Sequence, residues 1–159
     1  MYDFLVFVHL VGVFGFLGAH GVSAGVSMRL RKERDPGRLR TMLDLSRSSL
    51  LVANVSFLVL IGGGIAAATY DHLWDQGWVR ASILLVLILL IAPPVLAVPY
   101  FSKLRRAIGA PPRPGQPAGE PASPEEIVRI LRDPRPTILV LVGAVSLLVV
   151  LWLMTVKPF

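Results

Sequence analysis

The sequence predicts an all-α fold, a bundle of four transmembrane helices with one short cytoplasmic amphipathic helix. Two observations carry this expectation. Of 159 residues, 54% are hydrophobic and 16% are charged, against roughly 25% charged in ordinary soluble domains. The apolar residues gather into four runs of about 20, each the length that crosses a bilayer. These runs take more than half of the chain, so residues 1–159 read as a single integral membrane domain with no room for a soluble one. Inside lipid the backbone must satisfy itself, and no barrel-like alternation is present, so the spans are helices.

The spans run over about 4–28, 48–70, 81–101 and 136–156. Val22-Ser23-Ala24 resembles a small-residue cleavage site. No cation precedes the first run, however, and seven follow it, so the expectation is a retained span rather than a secretory signal. Segment 29–47 is short and should extend its two helices beyond the membrane. Gly62-Gly63-Gly64 in span two loosens the helix, lets a flat ligand approach its backbone, or simply packs. Span three contains Pro93, Pro94 and Pro99, which remove backbone donors and should kink or break it. Segment 107–122 carries five prolines among Gly, Ala and Gln and reads as a flexible spacer that buries nothing. Ser123-Pro124-Glu125-Glu126 is a capping box. It opens a short helix over about 124–132, with Ile127, Ile130 and Leu131 on the face expected to lie on the inner membrane surface. Span four has few polar breaks and is expected to be the lipid-facing helix.

Charge fixes the expected orientation. Seven cations lie in 29–47 and seven in 103–135, Arg113 among them, while only Arg80 and Lys157 lie elsewhere. The positive-inside rule places both loops in the cytoplasm and both termini outside, in a bacterial inner membrane. Trp74, Trp78 and Trp152 then fall near the outer interface. The net charge of +6 is thus a topology signal, and nucleic acid is not an expected partner.

Chemistry is sparse. With no Cys, disulfides, thiolate metal sites and cysteine nucleophiles are excluded. No acidic residue lies inside a span, so a carboxylate relay has no support. Four dispersed Met make a poor copper path, which wants soft ligands. The histidines remain. His9, Phe16, His20, Ser23 and Ser27 share one stripe of span one, which should face the bundle interior. His9 and His20 are about 16 Å apart along the axis. Gly18, Gly21 and Gly25 lie opposite and suit close packing, either within the monomer or in a homodimer or larger membrane complex. In span two, Ser49, Ser56, Gly63 and Tyr70 recur every seven residues and form a second seam.

A desolvated imidazole is neutral and ligates haem iron well. An outer site for haem b can be drawn with His9 as iron ligand, His72 as second ligand and Arg80 as propionate partner. His20 would be an inner site lacking a second ligand. The alternative is that His9 and His20 are structural polar groups and His72 a solvated loop residue.

The opening run Phe4-Leu5-Val6-Phe7-Val8-His9-Leu10-Val11-Gly12-Val13-Phe14-Gly15-Phe16-Leu17-Gly18 resembles the first helix of a group of small bacterial membrane proteins. The group includes HemJ-type protoporphyrinogen oxidases, CopD-like copper-resistance domains and an uncharacterised four-helix family. The closing Leu151-Trp152-Leu153-Met154-Thr155-Val156-Lys157-Pro158 is similar to the end of the last of these. The HemJ-like resemblance implies haem b on His9 and, for an enzyme, haem-dependent oxidoreduction. Span three lacks the Lys of the oxidase pattern, and Phe14 or Phe16 stands where a Trp is usual. A cofactor-free accessory or assembly subunit is the alternative function, and copper or small-solute translocation a third.

The orientation is directly testable. Single cysteines at Gln76 and Gly115 should label from opposite sides of intact cells, Gln76 from outside. Labelling of both from outside would contradict the topology.

Overall fold

The computed structural model describes residues 1–112 and 115–159; Arg113 and Pro114 of the Pro-rich loop lie outside the described residues. Helix α1 spans Tyr2–Leu30 and α2 spans Pro36–Tyr70. A 3-10 turn, Leu73–Asp75, leads into α3, Gly77–Ala92. Then come α4, Val98–Ala107, α5, Pro124–Leu131, and α6, Arg135–Val156. With α3 and α4 forming one rod, four helical units are long and apolar enough to cross a membrane, as predicted. Only 11% to 17% of each apolar window is buried inside the chain. The remaining apolar surface is far more than a water-soluble monomer exposes.

The helices overshoot the apolar runs. Asp35 accepts the Arg38 N–H at 2.8 Å and Pro36 sits in the first turn, so α2 begins well before its apolar part. In the 31–35 turn, the Glu33 carboxylate accepts the N–H groups of Asp35 (3.0 Å) and Arg34 (2.8 Å). These bonds hold it below the usual carboxylate range. Span three neither stops nor breaks at its prolines. The helix widens into one π-helical turn over Pro93–Ala97, and the Val98 N–H reaches back to the Pro93 carbonyl. Widening is how a helix absorbs missing donors where water cannot replace them.

Helix α1 lies along α2, and α3 lies along α6. The two pairs meet where α6 touches α1, and again at the cationic end through α4. At that end Val26 and Leu30 of α1, Leu39 and Leu43 of α2, Tyr100 and Leu104 of α4, and Ile130 and Leu131 of α5 form one core. Arg105 is buried beside it, with its guanidinium on the Asp44 carboxylate at 2.8 Å. At the other end Trp78, Val79 and Leu153 form a smaller core. There the Trp78 N–H donates to the Phe159 carbonyl at 3.1 Å.

Several expectations are corrected. The apolar face of α5 is covered by the protein itself rather than left free for a membrane surface; Ile130 and Leu131 are 4% and 1% exposed. An apolar stripe is satisfied by either surroundings, and this one is close enough to α4 to choose protein. Helix α6 is not a bare lipid-facing helix: Gly143, Ser146 and Leu153 are buried. The Pro-rich loop does bury residues at its ends. Ala110 is fully buried and its N–H donates to the Arg105 carbonyl, while the Ala122 N–H donates to Ala107, both at 2.8 Å. Proline content stiffens a backbone but does not stop neighbouring alanines from packing. Residues 115–118 are exposed.

The α1–α2 seam is built on glycine. A Cβ at Gly12 would overlap the Leu60 backbone, and one at Gly15 would overlap the Ser56 hydroxyl. A Cβ at Gly63 would lie 2.7 Å from the His9 backbone nitrogen. Of the seven-residue seam, Ser49 and Gly63 are buried and Ser56 is half-buried, but Tyr70 is 55% exposed beyond the contact. Gly18, Gly21 and Gly25 meet nothing within 4 Å, so they do not pack this chain against itself. Gly63→Ala should therefore destabilise the protein by about 1–3 kcal/mol, because backbone must move to admit the methyl. Gly62→Ala, with nothing within 4 Å of the new carbon, should be neutral or slightly stabilising. Thermal unfolding in detergent compares the two.

Candidate functional site

The polar stripe of α1 faces inward along its whole length. His9 sits over Gly63 and Gly64, where the absence of side chains lets its ring lie against the α2 backbone. Its Nδ1 is 2.7 Å from the Leu60 carbonyl. A carbonyl only accepts, so Nδ1 carries the proton, and in the neutral tautomer this fixes, Nε2 carries the lone pair. That Nε2 is buried and has no hydrogen-bond partner. A first ring nitrogen anchored to a carbonyl and a second left free is the arrangement that orients a histidine as a metal ligand.

His20 is held differently. Its ring stacks on Phe16 at 6.1 Å, and Phe16 in turn meets Phe57 of α2 at 5.4 Å. The ring turns toward α6 and covers Gly143, with Nε2 at 2.5 Å from where a Cβ would stand. This nitrogen is also buried without a partner, and it lies against Gly143 of α6. Further along, the Ser23 and Ser49 hydroxyls meet at 3.1 Å, and Ser27 donates to the Ser23 carbonyl at 2.8 Å.

The other two predicted site residues lie in or beside the turn between α2 and α3. His72 is exposed and adopts a left-handed backbone conformation, φ 52°, which suits a turn position. Arg80 is exposed and already engaged, donating to the Trp74 carbonyl at 3.3 Å and to Asp75 at 3.2 Å. No hydrogen bond, ion pair or ring contact among the described residues joins His9 to His72 or Arg80. Nor do three His, Cys, Asp or Glu side chains come together there to hold a metal ion. The structure thus joins His9 to α2 and His20 to α6.

Two cavities open at the cationic end, and neither is lined by a histidine. One, of about 500 Å³, lies between the π-helical region and the Pro-rich loop. The other, of about 250 Å³, is lined by Tyr100, Lys103, Arg129, Arg132, Asp133 and Arg135 among others. Sequence reasoning singled out neither. Tyr100, Leu104 and Ala107 follow helical spacing on α4 and carried the only available signal that this face packs inward.

Four membrane-length helices, apolar faces turned outward and polar side chains turned inward define an integral membrane protein. The chain belongs to the family described as predicted integral membrane protein (DUF2269), which matches residues 3–158. That assignment does not extend to the HemJ-type or CopD-like proteins. No curated protein and no solved structure shows a significant match.

The seat of His20 gives a coupled prediction. Gly143→Val should destabilise the protein, because the new side chain strikes the imidazole. His20→Ala in the same chain should relieve the clash. The double mutant should then be more stable than the sum of the two singles requires, by about 0.5–3 kcal/mol in a thermodynamic cycle.

Proposed function

We propose that this chain binds haem b in the membrane for a redox role, with His9 Nε2 as the iron ligand. The supporting observation is the His9 ring itself: Nδ1 is tied to the Leu60 carbonyl, and Nε2 is buried and unpartnered. An acceptor left without a partner in an apolar interior costs about 1–3 kcal/mol, and iron ligation would satisfy it. In this reading the Leu60 carbonyl fixes the tautomer, and Gly63 and Gly64 admit the ring. Haem b would supply one-electron chemistry. His72 is the chain's candidate second ligand and Arg80 its candidate propionate partner, both exposed, His72 in the turn after α2 and Arg80 in the first turn of α3. His20 packs α1 on α6 and is not needed as a ligand. The cationic loops favour a bacterial inner-membrane protein with both termini outside.

A second reading has one observation of its own. Gly18, Gly21 and Gly25 present a smooth outward face with nothing against it, as a cofactor-free subunit of a larger membrane complex would.

An absorption spectrum separates the two. Wild type purified after expression with ample haem should show a Soret band and a reducible α-band. His9→Ala should remove or shift both while the chain still inserts, and His20→Ala should leave them nearly unchanged. A colourless wild type would overturn the haem reading and favour the accessory subunit.

A further inference from the structure

We propose that the smaller cavity at the cationic end is a binding site for a phosphate oxyanion. The cavity, of about 250 Å³, lies between α4, the end of α5 and the start of α6, with Lys103, Arg129, Arg132 and Arg135 on its walls. Two carboxylates offset part of that charge. Glu126 pairs with Lys103 and Arg129, and Asp133 pairs with Arg135. The Arg132 guanidinium has no ion-pair or hydrogen-bond partner among the described residues, and the Arg132 carbonyl is taken by Arg31 at 3.3 Å. The site therefore keeps an excess of positive charge with one cation unspent.

The second observation is Tyr100. It lines the same cavity and is only 2% exposed, yet its hydroxyl has no hydrogen-bond partner. A buried phenol normally finds one. Here it is a neutral donor among guanidinium donors, a combination suited to the several acceptor oxygens of a phosphate. Pro134 and Ile130 complete the wall, giving an apolar side next to the polar one. Basic pockets between membrane helices at their cationic end hold anionic lipid head groups in this way. A soluble phosphate offers the same oxygens, so the shared chemistry is the phosphate group, and the experiment assigns its source.

The full chain, purified in a neutral detergent, is titrated with inorganic phosphate, with dioctanoyl phosphatidic acid, or with dioctanoyl phosphatidylcholine while its unfolding temperature is followed. Saturable stabilisation by phosphatidic acid and not by phosphatidylcholine assigns a lipid head group. Stabilisation by inorganic phosphate to the same extent assigns a soluble ligand. In either case Tyr100→Phe and Arg132→Gln should each weaken apparent affinity by about tenfold. Arg106→Gln, which removes equal charge outside this cavity, should leave it unchanged. Arg132 is exposed, so its variant tests the site even if Tyr100→Phe folds poorly. No stabilisation by either anion, or equal losses in Arg106→Gln and Arg132→Gln, would overturn the proposal.

Discussion

The close approach of α1 to α2 is the contact from which the rest of the arrangement follows. It exists because glycine stands on both sides: Gly12 and Gly15 receive Leu60 and Ser56, and Gly63 receives the His9 backbone. Lipid tails are as apolar as leucine, so helices in a bilayer gain little from burying apolar surface against each other. Shape and hydrogen bonding must then hold them. At this separation the His9 ring reaches the Leu60 carbonyl at 2.7 Å. With a bulkier seam that bond would be lost, leaving both ring nitrogens unpaired in an apolar interior. Gly143 plays the same part for His20 on α6. Glycine placement thereby decides which neighbour each histidine meets, and sets α1 between α2 and α6.

The two ends of the molecule use different forces. At the cationic end the helices overshoot the apolar runs, and Leu30, Leu39, Leu104 and Leu131 make an ordinary core. Water is near there, so the hydrophobic effect operates as in a soluble protein. That core joins the α1–α2 pair to α4 and α5, and the Asp44–Arg105 pair adds a specific tie across it. Burial of Arg105 is tolerable because its partner holds the charge. At the opposite end the segment after α6 folds back, its Phe159 ring lying over Gly77 and its carbonyl accepting from Trp78. Lys157, in a left-handed conformation, lies 5.6 Å over the Trp78 ring. The middle, by contrast, is held by small residues and paired serines.

Much of the fold was legible in the sequence because the bilayer constrains it so strongly. Length and hydropathy located the four spans, and helical periodicity placed His9, Phe16, His20, Ser23 and Ser27 on one inward stripe. Periodicity cannot say which helix a stripe will meet. Hence the pairing of His9 with Gly63 and of His20 with Gly143 was not foreseen, and periodicity alone leaves open whether Gly18, Gly21 and Gly25 pack within the monomer. Likewise, an amphipathic pattern shows that α5 has an apolar face without showing whether lipid or protein covers it. Composition misjudged the Pro-rich loop because the ordered parts are set by single alanines and backbone hydrogen bonds. Tyr100 was passed over among aromatics because nothing in its neighbours marks an unpaired hydroxyl. That property exists only once α4, α5 and the start of α6 converge.

The two intramembrane histidines show why an unpaired nitrogen alone does not define a site. Both Nε2 atoms are buried and partnerless, so both carry the same desolvation burden. They differ in what the other ring nitrogen does. His20 has only stacking on Phe16 to orient it, and the Gly143 backbone abuts its free nitrogen. His9 is oriented by a short hydrogen bond to a carbonyl that the helix itself holds in place. The Nδ1 and Cε1 side of its ring faces Gly64 of α2. The bond to Leu60 therefore gives the His9 ring a fixed orientation that His20 lacks.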